Sequence, residues 1–371
     1  KNVLKSFACL TVVECSNLTM TFVVSRKSSS LTSAALRCQA GFSLARTSSG
    51  ATFVTAVSRG TTSSGFFQSP ARFTEQKEDA LGQGKHLTSC LPMRSKSANP
   101  TFRSNFESSV VIPLPGMLLT RELFEAAHLG DALVGNASAI DSQLGETVIR
   151  SAASLEDAVD LLIRGIMERH PGRQVVLVGH SYGGYAALEA AKRAPNLLAG
   201  LVLMSTQLRA DTKGTTARRK SRVRLAHDSG ITALIDQLIP ALLSPAALAD
   251  ADKVKAVYRM AEATGVETFA KQMSACCERS DQRGTLSALH PRLPVFATAG
   301  GLDKLIPPKC LHELRQELKD REEVCHPAPW EVCSRDGIGH LMALENPEAV
   351  HADLSSWAAS VRLFSADTIE C

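Results

Sequence analysis

The 371-residue chain contains no internal repeat, no glycine-rich loop of the kind that cradles phosphate, and no side-chain cluster with metal-ligand spacing. Repeat architectures, nucleotide-driven chemistry and a resident metal or cofactor therefore have no support in the sequence. Its ten cysteines are scattered, and Cys276 and Cys277 are adjacent, which is unusual for a disulfide framework; reduced thiols are the expectation. Cys325 and Cys333 flank the stretch from His326 to Trp330 and would pair only in an oxidising compartment. The apolar run from Phe7 to Val13 is too short to span a bilayer.

A large excess of one charge is also missing. The net charge is +4, but residues 1–107 carry 13 Lys and Arg against five Asp and Glu, whereas the remainder carries 28 against 32. The excess belongs to the leader, so the body offers no general reason to bind nucleic acid or an anionic membrane. Within residues 1–70 there are 23 serines and threonines, seven basic residues and one acidic residue, Glu14. That composition is expected of a transit peptide for a plastid or mitochondrion, with Phe7 to Val13 as a signal core or plain leader. Residues 1–107 are accordingly expected to be a leader and linker, disordered or removed. With no such address, the body would be cytoplasmic.

What is present begins with Gln174-Val175-Val176-Leu177-Val178 running into Gly179-His180-Ser181-Tyr182-Gly183-Gly184. Four consecutive branched aliphatics predict a strand buried on both faces, and Tyr182 to Ala194 predicts a helix. A serine at that junction occupies a sharp, strained turn that lifts its hydroxyl out of the sheet. Glycines two positions on either side leave room for the adjoining strand and helix. A hydroxyl is a poor nucleophile without a base, and the base needs a carboxylate to fix its tautomer. Two later loops supply candidates. Pro294 to Ala299 reads as a strand that exits into Gly300-Gly301-Leu302-Asp303, and Gly339-His340 precedes a last helix opened by Asn346 and Pro347. Asp303 is preferred to Asp336, which shares the loop of His340 instead of following a strand. His180 is read as shaping the turn, its ring pointing away from Ser181. Backbone donors for an oxyanion are expected at Tyr182 and at Met117, the latter in Pro115-Gly116-Met117-Leu118 after the strand Val110 to Leu114.

Helical periodicity fills in the rest. Leu155, Val159, Leu162, Ile163 and Ile166 line one face behind a Ser154 cap, between a strand near Glu146 to Ile149 and the strand before Ser181. Val350, Leu354, Trp357 and Val361 stripe the final helix. Between Thr206 and His290 the strand pattern stops, and helices are expected over Ile231 to Leu243, Pro245 to Met260 and Val266 to Cys277, broken at Pro240, Pro245 and Gly265.

From Val110 to Trp357 the chain resembles a serine-dependent α/β-hydrolase, in a small-molecule esterase-like branch with relatives of enol-lactonases and of methyl esterases acting on carrier-linked acyl groups. The resemblance rests on Leu114-Pro115-Gly116-Met117-Leu118, the elbow with Tyr185-Ala186-Ala187-Leu188-Glu189, Arg279-Ser280-Asp281, and Gly339-His340 with Glu345-Asn346-Pro347-Glu348. Such families usually have Arg-Pro-Asp where this chain has Arg-Ser-Asp, and often an aromatic earlier in the oxyanion loop.

The resemblance implies an α/β fold: a mostly parallel, doubly wound sheet from residues 108–206 and 291–364, with residues 207–290 as a helical lid before the penultimate strand. It implies catalysis by Ser181, His340 and Asp303 with the Met117 and Tyr182 amides as oxyanion hole, and a carboxylic ester or thioester of a small molecule as substrate. An acyltransferase, a haloperoxidase-like activity without cofactor, or a non-enzymatic receptor retaining the pocket fits the same scaffold. In the lid, Arg218, Arg219, Lys220, Arg222 and Arg224 form a basic cluster, read either as a solvated helix face or as the receiver of an anionic carrier.

Overall fold

The computed structural model describes residues 105–321 and 327–367, with side chains to residue 364, and short strands within residues 8–56. The chain divides into two units, Lys1–Leu91 and Pro92–Cys371. In the first unit, Ala8–Cys15 pairs antiparallel with Leu18–Ser25, and Leu36–Arg37, Phe42–Arg46 and Thr52–Ala56 form an antiparallel three-stranded sheet. The rest of the expected leader up to residue 104 lies outside the described residues, as does Cys325 and with it the conditional pairing with Cys333. Among the described residues, no helix is long and apolar enough to cross a membrane.

The second unit is built on a parallel sheet of β1 (Val110–Leu114), β2 (Val175–His180), β3 (Leu198–Met204), β4 (Val295–Gly300) and β5 (Trp330–Arg335), in the order β5-β4-β3-β2-β1. Every residue of β1 to β4 is buried, because helices cover both faces of the sheet. Strand alternation divides the core. Val175 and Leu177 join the layer of α1 (Ser142–Ser151), α2 (Leu155–Arg169), α3 (Tyr182–Arg193) and the later helix Lys309–Lys319. Val176 and Val178 face the opposite layer, where Val350, Leu354, Trp357 and Val361 of the last helix, Pro347–Asp367, form the expected stripe. Asn346 Oδ1 accepts from the Ala349 amide at 3.0 Å and so caps that helix.

Two expectations are corrected. Glu146 to Ile149 is not a strand but the second half of α1. Asp141 Oδ1 caps this helix by accepting from the Leu144 amide at 3.0 Å, and Leu144, Val148 and Ile149 then share its buried face. The strand-like contact is made earlier, where Ile140 bridges Val111 in parallel. In the insert, α4 runs over Lys213–Leu242, so helix begins well before the expected start at Ile231 and the basic residues lie on it, and Pro240 lies inside the last turn without ending it. Gly230 kinks α4 with φ +84°, and Gly265 kinks α5 (Ala251–Glu278) with φ +75°. Pro245 opens a short helix, Pro245–Leu248, capped by Ser244 Oγ on the Ala247 amide.

Candidate active site

At the end of β2 the backbone turns through Ser181, whose φ of +51° and ψ of −110° lie outside the ordinary regions for a side chain with Cβ. The surroundings enforce this strain. The Ser181 amide donates to the Met204 carbonyl at 2.9 Å, and the Ser181 carbonyl accepts from the Gly184 amide and from Thr206 Oγ1, both at 3.0 Å. A Cβ on Gly183 would stand 2.0 Å from the Leu114 carbonyl oxygen, so only glycine lets α3 start this close to β1.

Asp303 leaves the loop after β4, and His340 the loop after β5. The His340 Nδ1 and Asp303 Oδ2 are 2.7 Å apart. The other carboxylate oxygen accepts from the amides of Leu305 (2.9 Å) and Ile306 (2.8 Å). Burial alone would raise the Asp303 pKa. The charge and hydrogen bond of His340, followed by the two amides, outweigh it and hold the carboxyl below the usual range. Asp303 is therefore an ionised acceptor that fixes the proton of His340 on Nδ1 and leaves Nε2 as the basic nitrogen. Asp336, the rival acid, is solvent-exposed.

His180 is fully buried. Its Nε2 donates to the His340 carbonyl at 2.9 Å, and the two rings meet edge to face with centroids 4.9 Å apart. Burial first, and then the charge of His340, pull its pKa down to about 3 against a smaller opposing effect of the hydrogen bond, so it is neutral. Its role is wider than shaping the turn: it couples the elbow to the loop carrying His340. No sequence signal distinguishes it from an ordinary elbow residue.

The loop after β1 lies on the elbow. A Cβ on Gly116 would be 3.2 Å from that of Ser181, and Leu118 is held at φ +62° with its amide donating to Gln272 Oε1 at 3.3 Å. Among the described residues the Met117 amide has no acceptor, and Tyr182, as the first residue of α3, has no intrahelical acceptor for its amide. The structure thus joins Asp303 to His340, sets His340 against His180, and stacks the Met117 loop on Ser181. Among the described residues no hydrogen bond links Ser181 Oγ to the His340 ring; such contacts commonly tighten only when substrate binds.

Behind Met117 lies a buried ion cluster that sequence reading did not find. Asp211 accepts from Arg219 and from Arg279, and the Arg279 guanidinium lies 4.1 Å from the ring centre of Tyr185 in α3. Arg219 Nη1 approaches the sulfurs of Met117 (3.9 Å) and Met273 (3.6 Å). Arg219 is therefore withdrawn from the basic cluster, leaving Arg218, Lys220 and Arg224 exposed and Arg222 half-buried. A separate cleft of about 390 Å³, lined by Thr120, Arg121, Glu122 and Arg150 among others, does not include Ser181, Asp303 or His340. Among the described residues no group of three His, Cys, Asp or Glu side chains is arranged to hold a metal.

Residues 111–353 match the profile of the alpha/beta hydrolase family. No curated protein matches the sequence. Similar solved structures include a malate-bound thermophilic esterase from Thermogutta terrifontis, 22% identical, covering 68% of this chain and 90% of that one with a TM-score of 0.57. The enol-lactonase from Burkholderia xenovorans LB400 is 13% identical, with coverage of 68% and 92% and a TM-score of 0.52. An esterase from Exiguobacterium antarcticum is 12% identical, with coverage of 68% and 93% and a TM-score of 0.52. At these identities the likeness is one of fold.

Proposed function

Because this chain belongs to the alpha/beta hydrolase family, we propose that it is a serine hydrolase cleaving a carboxylic ester or thioester of a small molecule through an acyl-serine intermediate. The observation that carries this reading is the 2.7 Å contact of His340 with an ionised Asp303, beside an elbow that strains the backbone of Ser181. Ser181 Oγ attacks the carbonyl carbon while His340 Nε2 takes its proton. The amides of Met117 and Tyr182 receive the oxyanion. His340 then gives the proton to the departing alcohol or thiol, and water repeats the sequence to release the acid. The insert serves as a lid that excludes water and shapes the acyl pocket. An acyltransferase would share the first half-reaction and differ only in the second nucleophile.

The test is a panel of short and long acyl esters and thioesters. Turnover is expected to fall on the order of 10³-fold or more in Ser181→Ala; equal turnover in that variant would remove the reading. The remaining cations of the insert support an anionic group on the substrate or its carrier. Arg222 is half-buried, and its charged form is disfavoured first by burial and then by Arg219 and Arg218. Arg222→Glu is expected to raise KM for carrier-linked esters and not for neutral ones; an equal rise for both would dismiss the carrier.

A further inference from the structure

The last carbonyls of a helix have no donors of their own and must be met from elsewhere. At the end of α4, the Ile239 carbonyl accepts from the Leu243 amide at 3.1 Å, in the ordinary way. The next ones are met differently. The Pro240 carbonyl accepts from Nζ of Lys304, the neighbour of Asp303, at 3.0 Å. The Leu242 carbonyl accepts from the amides of His340 (2.9 Å) and Leu341 (3.3 Å). The helix of the insert is thus closed by the two loops that carry the candidate acid and base.

Glu345 completes the joint from the other side. Its Oε2 accepts from the Gly339 amide at 2.9 Å and from the Ser244 amide at 3.1 Å, tying the residue before His340 to the chain just past α4. There is no slack between these groups: a Cβ on Gly339 would stand 2.7 Å from both the Ser244 nitrogen and Glu345 Oε1. A carboxylate oxygen shared by two amides is a strong, directional acceptor. We propose that Glu345 is a positioning residue for the proton-transfer step, and that its clamp on Gly339 and Ser244 brings His340 to its working position only when the insert is seated on the sheet. The inference rests on the reading of Ser181 and His340 as catalytic. Glu345 is bonded to neither ring; it acts through the backbone that carries the imidazole.

The test compares Glu345→Ala, Glu345→Gln and Ser244→Pro in the full chain on one small ester, with the folded fraction of each read by circular dichroism. Loss of the acceptor in Glu345→Ala should lower kcat about 10-fold or more while KM stays within about twofold, since displacements of an ångström far from the chemistry have effects of this size. Glu345→Gln keeps a carbonyl oxygen for both amides and should restore kcat to within about threefold of wild type. The pH at which the acidic limb of kcat/KM falls should be unchanged in both, because position and not charge is at stake. With Ser244→Ala as the control for the lost Oγ cap on the Ala247 amide, Ser244→Pro replaces the second amide of the clamp by a ring carbon at a φ of −68° that proline adopts. It too should lower kcat. Wild-type kcat per folded molecule in either Glu345→Ala or Ser244→Pro, or a Gln variant as impaired as the Ala variant, overturns the proposal. Full activity in Ser181→Ala would instead remove the underlying reading, so the two failures are distinguishable.

Discussion

His180 is a buried residue that the fold keeps neutral, and its cost should be visible in acid. Its pKa is about 3 in the native chain, whereas an unfolded histidine titrates near 6.5. Between those values the unfolded state binds more protons than the native one. Stability therefore rises with pH across that window and is lost as pH falls from about 6.5 towards 3, with a slope of at most about 1.4 kcal/mol per pH unit. Asp303 acts lower down: its depressed carboxyl contributes stability above the ordinary carboxylate range that is lost as pH falls through its native value. The two are separable. His180→Gln retains an amide that can donate to the His340 carbonyl but removes the titration, so the dependence of urea stability on pH between 4.5 and 6.5 should flatten. Parallel slopes in variant and wild type would mean that another group sets the acid sensitivity.

At the scale of elements, the kinks of α4 and α5 fall between halves with different attachments. The residues before Gly230 and after Gly265 hold the loop of Met117 and Leu118, through Arg219 and Met273 beside Met117 and through Gln272 on the Leu118 amide. The residues between the kinks hold the His340 and Asp303 loops, through Leu242 and Pro240. At both glycines φ is positive with ψ near 170°, a region essentially closed to other residues, and the space where a Cβ would go is empty. Gly230→Ala and Gly265→Ala should therefore each cost about 1–3 kcal/mol in urea unfolding, from backbone strain alone. A cost near zero would mean that the helix straightens at no expense and that no kink is imposed.

The same elements explain how far sequence reading reaches. β2, the elbow, Asp303 and His340 are legible because each depends on a local pattern: an apolar run, glycines at fixed offsets, a polar residue just past a strand. Thr147, Val148 and Ile149 mislead because a β-branched run reads as a strand, while the decisive facts are the Asp141 cap and the docking of Gly145, where a Cβ would stand 1.9 Å from the Pro113 carbonyl oxygen. Residues 213–229 carry cations and little apolar periodicity, so a solvated helix face is only one of two readings there and the start of the helix is not marked locally. Glu345, Gln272 and Asp211 act across separations of about a hundred residues or more for the first two and about seventy for the last, which no periodicity encodes.

For the molecule as a whole, the decisive question is what keeps the insert on the sheet. Asp211 stands where the chain leaves β3 for the insert, Arg219 lies in α4, and Arg279 ends α5 and also donates to the carbonyls of Arg209 and Cys276. One carboxylate thus closes the entrance and exit of the insert on each other, with Asp211 and Arg279 almost wholly withdrawn from water. Burial opposes its ionisation, but the hydrogen bonds and charges of the two arginines outweigh it and hold the carboxyl below its ordinary range. Asp211→Asn keeps the shape and deletes the charge, leaving two buried guanidinium groups without a counter-ion. Such a break costs about 3–5 kcal/mol. By contrast, Glu122→Gln removes a pair with Arg259 whose side chain is 62% exposed, and should cost less than about 1 kcal/mol. Because the insert holds both Leu118 and His340, loosening its ends should disturb the site before the sheet melts. In Asp211→Asn, activity should disappear at a lower urea concentration than the far-ultraviolet signal, whereas in the wild type the two should be lost together. Coincident loss in the variant would show that insert and sheet unfold as one unit and that this cluster is not their joint.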